Sequence, residues 1–151
     1  WAGKVEPGST SNTPVIGMDI YPTILSAAGV SQPKGQVCDG VNLVPHIQKG
    51  DSIDRDSLYW HYPHYHKTKP YSAIRKGNWK LIRFHEEGKL ELYHLKKDPS
   101  ESSDVSGQFN EKTETLAAQL DAWLKSVGAQ HMTPNPAYDP TSKKKPKRKK
   151  K

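Results

Sequence analysis

One polar segment of the chain, Ser57–Lys69, holds three histidines and four aromatic residues. Imidazole N–H groups can donate hydrogen bonds to a polar ligand, and aromatic rings can stack on the flat face of one. The candidate substrate-binding residues of this segment are His61, His64, His66, Trp60 and Tyr65. We therefore take it as the part of the sequence where chemistry is most expected.

Two other interpretations of the same segment stay open. Three imidazoles within six residues could ligate zinc. Pro63 interrupts the segment, however, and no fixed helical spacing brings the three side chains together. Alternatively, the segment is an aromatic-rich loop that packs against another part of the protein and has no ligand of its own.

Arg75 and Lys80 are the polar residues inside the predicted strands that could face a ligand. Arg75 is the candidate we retain. The alternative is that both are solvated strand residues or members of ordinary surface ion pairs, which contribute little to stability. Asp19 precedes a helical pattern and is interpreted as a helix cap rather than a catalytic group.

An alternating pattern downstream predicts the sheet that must position these residues. Polar and apolar residues alternate in Ser72–Arg75, Trp79–Phe84 and Leu90–Leu95, which is typical of strands. Turn residues separate them at Lys76–Asn78 and Glu86–Gly88, where glycine permits the positive φ of tight hairpins. We expect a small antiparallel sheet of three to four strands.

An amphipathic helix is predicted to cover one face of this sheet. Its apolar residues recur at helical spacing, with Asn110 as the expected N-cap and Gly128 just past the end. These apolar residues are Leu116, Leu120, Trp123, Leu124 and Val127. The predicted fold class is α+β, with a small antiparallel sheet covered by a C-terminal amphipathic helix.

Two short helices are expected before the sheet. One runs from Asp19 to about Ala28, with Pro22 in its first turn. We predict that Ile20, Ile24, Leu25 and Ala28 form its buried stripe. The other covers Leu43–Gln48, capped by Asn42 and closed by Gly50.

Composition limits the function classes. The 151 residues carry a net charge of +7, but eight of the 23 basic residues lie in Lys143–Lys151. That run cannot bury apolar surface, so we expect a disordered tail, with non-specific polyanion contact as its only predicted role. The single cysteine, Cys38, excludes an intrachain disulfide. No apolar run approaches the ~20 residues that a membrane-spanning helix needs.

Five motifs in order resemble the C-terminal part of the formylglycine-dependent sulfatases, in the alkaline-phosphatase-like superfamily. They are Trp1–Lys4 followed by Pro14-Val15, Asp19–Thr23 followed by Ala28-Gly29, Asp39–Leu43, Ala73–Arg75 with Trp79–Ile82, and Glu91–Tyr93 with Asp98–Glu101. Each is weak alone, but together they extend from Trp1 to Glu101. Bacterial arylsulfatases and polysaccharide sulfatases are especially similar around residues 60–66.

The resemblance implies hydrolysis of a sulfate ester, on a sulfated polysaccharide or an aryl sulfate. It also implies a formylglycine nucleophile and a calcium ion, and we expect both upstream of Trp1, because Cys38 does not fit the nucleophile motif. The implied domains are residues 1–52, the end of the catalytic domain; 53–130, the C-terminal subdomain; and 131–151, a disordered tail. A non-catalytic glycan-binding or assembly module is the alternative function. Members of the family are usually periplasmic or secreted.

Overall fold

The computed structural model describes residues 1–138. The elements in chain order are a 3-10 turn at Gly17–Asp19, α1 (Ile20–Ala27), α2 (Val44–Lys49), β1 (Ser57–Tyr62), β2 (Tyr71–Lys76), β3 (Trp79–Phe84), β4 (Leu90–His94) and α3 (Asn110–Ser126). The Lys-rich run 143–151, with its predicted disorder and polyanion contact, lies outside the described residues. No helix within residues 1–138 is long and apolar enough to cross a membrane.

The four strands form one antiparallel meander in the order β1-β2-β3-β4. The three predicted strands are confirmed, and Gly77 adopts φ 57° in the turn between β2 and β3. The fourth strand, β1, comes from the aromatic segment. Pro63 follows the last residue of β1 and ends it, instead of interrupting a strand.

The predicted cover of the sheet is confirmed. Ile74, Leu81 and Leu92 lie at the centre of one sheet face and are fully buried against α3. The helix contributes Leu116, Leu120 and Leu124 to the same core. Each such side chain stabilises the fold by about 1.5–3 kcal/mol. Trp123 was expected in the core but is only partly buried at its edge, where its ring stacks on Tyr59 with centroids 4.7 Å apart.

The ends of α3 agree with the prediction at one end only. Gly128 follows the helix with φ 60°, as expected for a glycine after the C-cap. Asn110 is the first helical residue, not the N-cap; Phe109 occupies that position and no side chain caps the helix. The Phe109 ring instead packs against Trp79, with ring centroids 5.0 Å apart. Packing therefore decides this helix end.

The predicted buried stripe of α1 is wrong. No residue of α1 is buried, and the exposed fractions of Ile20 and Ile24 are 59% and 60%. The packing within residues 1–138 leaves this face largely exposed, so helical periodicity alone was not sufficient to predict its burial. The short helix α2 agrees better, although its N-cap is Leu43 and not the predicted Asn42. The Asn42 side chain still accepts the Val44 N–H at 3.0 Å, and Gly50 ends the helix with φ 75°.

Candidate functional site

Three imidazoles meet at one end of the sheet. His61 comes from β1, His85 directly follows β3, and His131 follows α3. Their ring centroids are 5.5 to 6.5 Å apart, and with Pro63 and Met132 they line a cavity of about 130 Å³. We call this cavity the histidine pocket.

Ser72 joins two of these imidazoles. Its hydroxyl lies 2.7 Å from His61 Nδ1 and 2.9 Å from His85 Nε2, and the residue is fully buried. The strand register explains the contact, because Ser72 pairs with His61 across β1 and β2 on the face that α3 covers. The backbone N–H of His85 donates to the Pro70 carbonyl, and this hydrogen bond holds His85 beside Ser72.

The geometry determines the hydrogen-bond directions when the rings are neutral. His61 Nε2 lies 2.8 Å from the Gln130 carbonyl, which can only accept, so this nitrogen carries the proton. His61 Nδ1 must then accept from the Ser72 hydroxyl. The Ser72 oxygen in turn accepts from His85 Nε2–H. The result is a directed chain from His85 through Ser72 and His61 to the segment after α3.

This arrangement disfavours a charged imidazole at its inner end. Burial, followed by the neighbouring His61, His131 and Arg83, lowers the pKa of His85 below its ordinary value. A neutral His85 therefore suits the site best.

The other histidines of the predicted segment lie apart from this pocket. His64 and His66 are exposed in the loop between β1 and β2, and the His64 ring contacts Tyr62. His85 and His131 were missed by the sequence analysis. Arg83 pairs with Ser72, and His85 stands two residues after Arg83. The alternation of β3 would therefore have placed His85 on the same face as Ser72. No sequence signal indicates His131.

The remaining candidates occupy two other places. Trp60 and Arg75 lie on the opposite sheet face from His61, and Arg75 lines a cavity of about 210 Å³ at the other end of β2, beside Arg55. Tyr65 is exposed in the β1–β2 loop, where its hydroxyl donates to the Glu86 carboxylate. The six predicted residues thus do not form one cluster in residues 1–138.

A second polar centre joins the N-terminal part to the sheet. The carboxylate of Asp19 is fully buried and accepts hydrogen bonds from both terminal nitrogens of Arg55, at 2.7 and 2.8 Å. It also accepts the backbone N–H groups of Ile16 and Val41. Burial would raise the pKa of Asp19, but Arg55 and the two amides outweigh it and hold the pKa at about 2. Asp19 does precede α1, as predicted, but its side chain does not cap that helix.

The implied formylglycine and calcium do not fit the described residues. Across residues 1–138, no three or more His, Cys, Asp or Glu side chains are arranged to hold a metal ion. The thiol of Cys38 lies 3.7 Å from the Gly40 carbonyl in the loop before α2. No catalytic step is therefore assigned to any residue of the described range 1–138.

Comparison with known families decides the relationship. The family described as N-sulphoglucosamine sulphohydrolase, C-terminal, matches residues 1–130. The chain belongs to this family. The resemblance to sulfatases drawn from the five motifs is thereby confirmed.

Individual members of this sulfatase group match over most of the chain. An N-acetylglucosamine-6-O-sulfatase of Bacteroides thetaiotaomicron is 32% identical over 130 residues, which cover 80% of this chain and 23% of that enzyme. Arylsulfatase K of Danio rerio is also 32% identical, over 82% of this chain and 24% of that protein. The chain thus spans about a quarter of the length of these relatives.

Solved structures show the same fold. A protein in complex with its substrate D-glucosamine-2-N,6-O-disulfate aligns over 73% of this chain and 24% of its own, with 29% identity and a TM-score of 0.59. Ps i-CgsB, in complex with k-i-k-neocarrahexaose, aligns over 82% of this chain and 27% of its own, with 27% identity and a TM-score of 0.65. The α+β sheet-and-helix unit is therefore a sulfatase C-terminal domain.

Proposed function

We propose that this chain is the C-terminal part of an enzyme that hydrolyses sulfate esters, on a sulfated saccharide or an aryl sulfate. The observation that carries the proposal is the match of a sulfatase C-terminal family to residues 1–130. The names of the relatives support a saccharide sulfate as the substrate. In the domain division that goes with it, residues 1–52 complete a catalytic domain and residues 53–130 form the subdomain.

The reacting groups belong to the upstream sequence in this proposal. The formylglycine and the calcium ion that the resemblance implies would be held by upstream residues, and there they would supply the nucleophile and positive charge beside the sulfate. The residues of this chain bind and orient: exposed His64 and His66 donate hydrogen bonds to anionic or hydroxyl groups, and Trp60 and Tyr65 offer ring faces. Arg75 is the candidate cation on the opposite sheet face.

Substitutions in an upstream-extended chain test the role of the loop. If His64 and His66 bind substrate, His64→Ala and His66→Ala should raise KM for a sulfated saccharide. The same variants should change kcat for a small aryl sulfate much less. His46→Ala is the matched loss of an imidazole outside the loop, because His46 lies on α2 with contacts to Ser11 and Asp51. Equal effects of His64→Ala and His46→Ala would contradict the role of the loop in substrate binding.

The non-catalytic alternative predicts a different result from the same experiment. A glycan-binding or assembly module would bind the sulfated saccharide in both the chain and its extended form, and neither would release sulfate. Sulfate release by the extended form excludes this alternative.

A further inference from the structure

A wider cleft adjoins the histidine pocket and has no assigned role. Its volume is about 750 Å³, and Met132 lines both spaces. Tyr65, Glu86, Asn135 and Tyr138 surround it, with Met132 and Pro134 in its wall. We call it the tyrosine cleft. The β1–β2 loop, the β3–β4 turn and the segment after α3 all contribute to it.

Two tyrosines leave their rings in solvent at this cleft. Tyr65 is 68% exposed and Tyr138 is 72% exposed, more than the other aromatic side chains among residues 1–138. A tyrosine ring combines an apolar face with a polar tip, so it suits a ligand whose faces are apolar and whose edges carry hydroxyls. A pyranose ring has this character.

The polar groups of the cleft complement hydroxyls. A turn fixes Asn135 and Tyr138: Asn135 Oδ1 accepts the Ala137 N–H, and the Asn135 carbonyl accepts the Tyr138 N–H, both at 3.0 Å. The amide nitrogen of Asn135 has no hydrogen-bond partner within residues 1–138 and can donate to a ligand. The Glu86 carboxylate accepts the Tyr65 hydroxyl and retains further lone pairs.

Charge in the cleft favours a neutral ligand. Glu87 pairs with Lys69, whereas no Lys or Arg of residues 1–138 pairs with Glu86. A carboxylate that forms no salt bridge within residues 1–138 repels a sulfate or carboxylate group that approaches it. The same carboxylate accepts hydrogen bonds from neutral hydroxyls without that penalty.

We propose that the tyrosine cleft binds an uncharged pyranose residue of an oligosaccharide, next to the sugar residue that carries the sulfate. The two exposed tyrosines hold the ring faces, Asn135 donates to one hydroxyl and Glu86 accepts from another. The inference rests on the proposed function, because it assigns the cleft to a neighbouring unit of a sulfated saccharide.

Titration of the 151-residue chain with chitotriose and with 6-O-sulfated chitotriose, followed by NMR, tests the assignment. We expect chitotriose to bind, and Tyr65→Ala and Tyr138→Ala each to weaken its binding about fivefold. Tyr21→Ala is the matched control, because Tyr21 is an exposed tyrosine on α1. Glu86→Gln should shift the ratio of the two affinities toward the sulfated form about fivefold, since the repulsion is removed.

Absence of chitotriose binding at millimolar concentration, or equal weakening by Tyr21→Ala, overturns the assignment. So does an affinity ratio between chitotriose and its sulfated form that Glu86→Gln leaves unchanged. If cleft variants leave saccharide binding unchanged while the extended chain still releases sulfate, the cleft inference fails and the proposed function stands. If the chain binds chitotriose but the extended form releases no sulfate, the proposed function fails while the cleft still binds a saccharide.

Discussion

Arg55 lies across the buried carboxylate of Asp19 with both terminal guanidinium nitrogens, and this pair fastens the entry of β1 to the start of α1. Four donors converge on the two Asp19 oxygens, two from Arg55 and one each from Ile16 and Val41. An ion pair and hydrogen bonds therefore join the N-terminal part to the sheet.

Loss of this fork should destabilise the chain strongly. Arg55→Met leaves the Asp19 carboxylate buried without its charge partner, which costs about 3–5 kcal/mol. Lys76→Met removes the partner of Asp56 in an exposed pair and should cost at most about 1 kcal/mol. Urea unfolding of both variants checks the prediction. Similar midpoints for the two would show that the Asp19 fork contributes no more than a surface pair.

Gly40 should tolerate no side chain. A Cβ at this position would lie 2.1 Å from the Met18 carbonyl oxygen, so the loop before α2 must move away from the 3-10 turn. We expect Gly40→Ala to cost about 1–3 kcal/mol. Gly107→Ala is the control, because its φ is not positive and a Cβ there meets nothing within 4 Å. Thermal unfolding compares the two, and an equal small effect would contradict the close approach.

The histidine pocket predicts a pH dependence of stability with a definite sign. The pKa of His85 is lowered in the folded chain, so its stabilising contribution is present above the ordinary histidine pKa of about 6.5 and is lost as the pH falls below it. His85→Gln should therefore flatten the decline in unfolding free energy between neutral and mildly acidic pH.

The matched substitution is His46→Gln, which removes an imidazole on α2, outside the pocket. Ser72→Ala adds a second check, since it leaves two part-buried ring nitrogens without partners and should cost about 1–3 kcal/mol. An unchanged pH dependence in His85→Gln, or equal flattening by His46→Gln, would refute the assignment.

Exposed apolar residues of α1 should make the chain prone to aggregation. We expect the 151-residue chain to bind a hydrophobe-sensitive dye, because Ile20 and Ile24 lie in solvent. Ile24→Lys should lower dye binding without lowering the unfolding temperature, whereas Leu120→Ala should destabilise by about 2–5 kcal/mol because Leu120 is fully buried. A monodisperse monomer without dye binding would contradict this expectation.

Local patterns were sufficient for three of the four strands and for the covering helix. Alternation in β3 and helical spacing of Leu116, Leu120 and Leu124 are properties of short windows, and they predict both elements and the faces that meet. The partner of the buried Asp19 carboxylate was not predictable, since Arg55 stands 36 residues later in the chain. Its role depends on a long-range contact.

The histidine pocket shows the same division. His61 could be selected from its aromatic surroundings, but spacing suggested His64 and His66 as its companions. The strand register and the path of the chain after α3 instead bring His85 and His131 to it. Pro63 was interpreted as a break within the segment, and it ends β1, so the loop histidines are carried away from the sheet.

Release of sulfate from an aryl sulfate, measured side by side for the 151-residue chain and for its upstream-extended form, tests the central claim most directly. The account predicts turnover by the extended form and none by the chain alone, because the proposed function assigns the nucleophile and the calcium ligands to the upstream sequence. Turnover by the chain alone would contradict the placement of the catalytic centre. Absence of turnover in both would contradict the sulfatase activity itself.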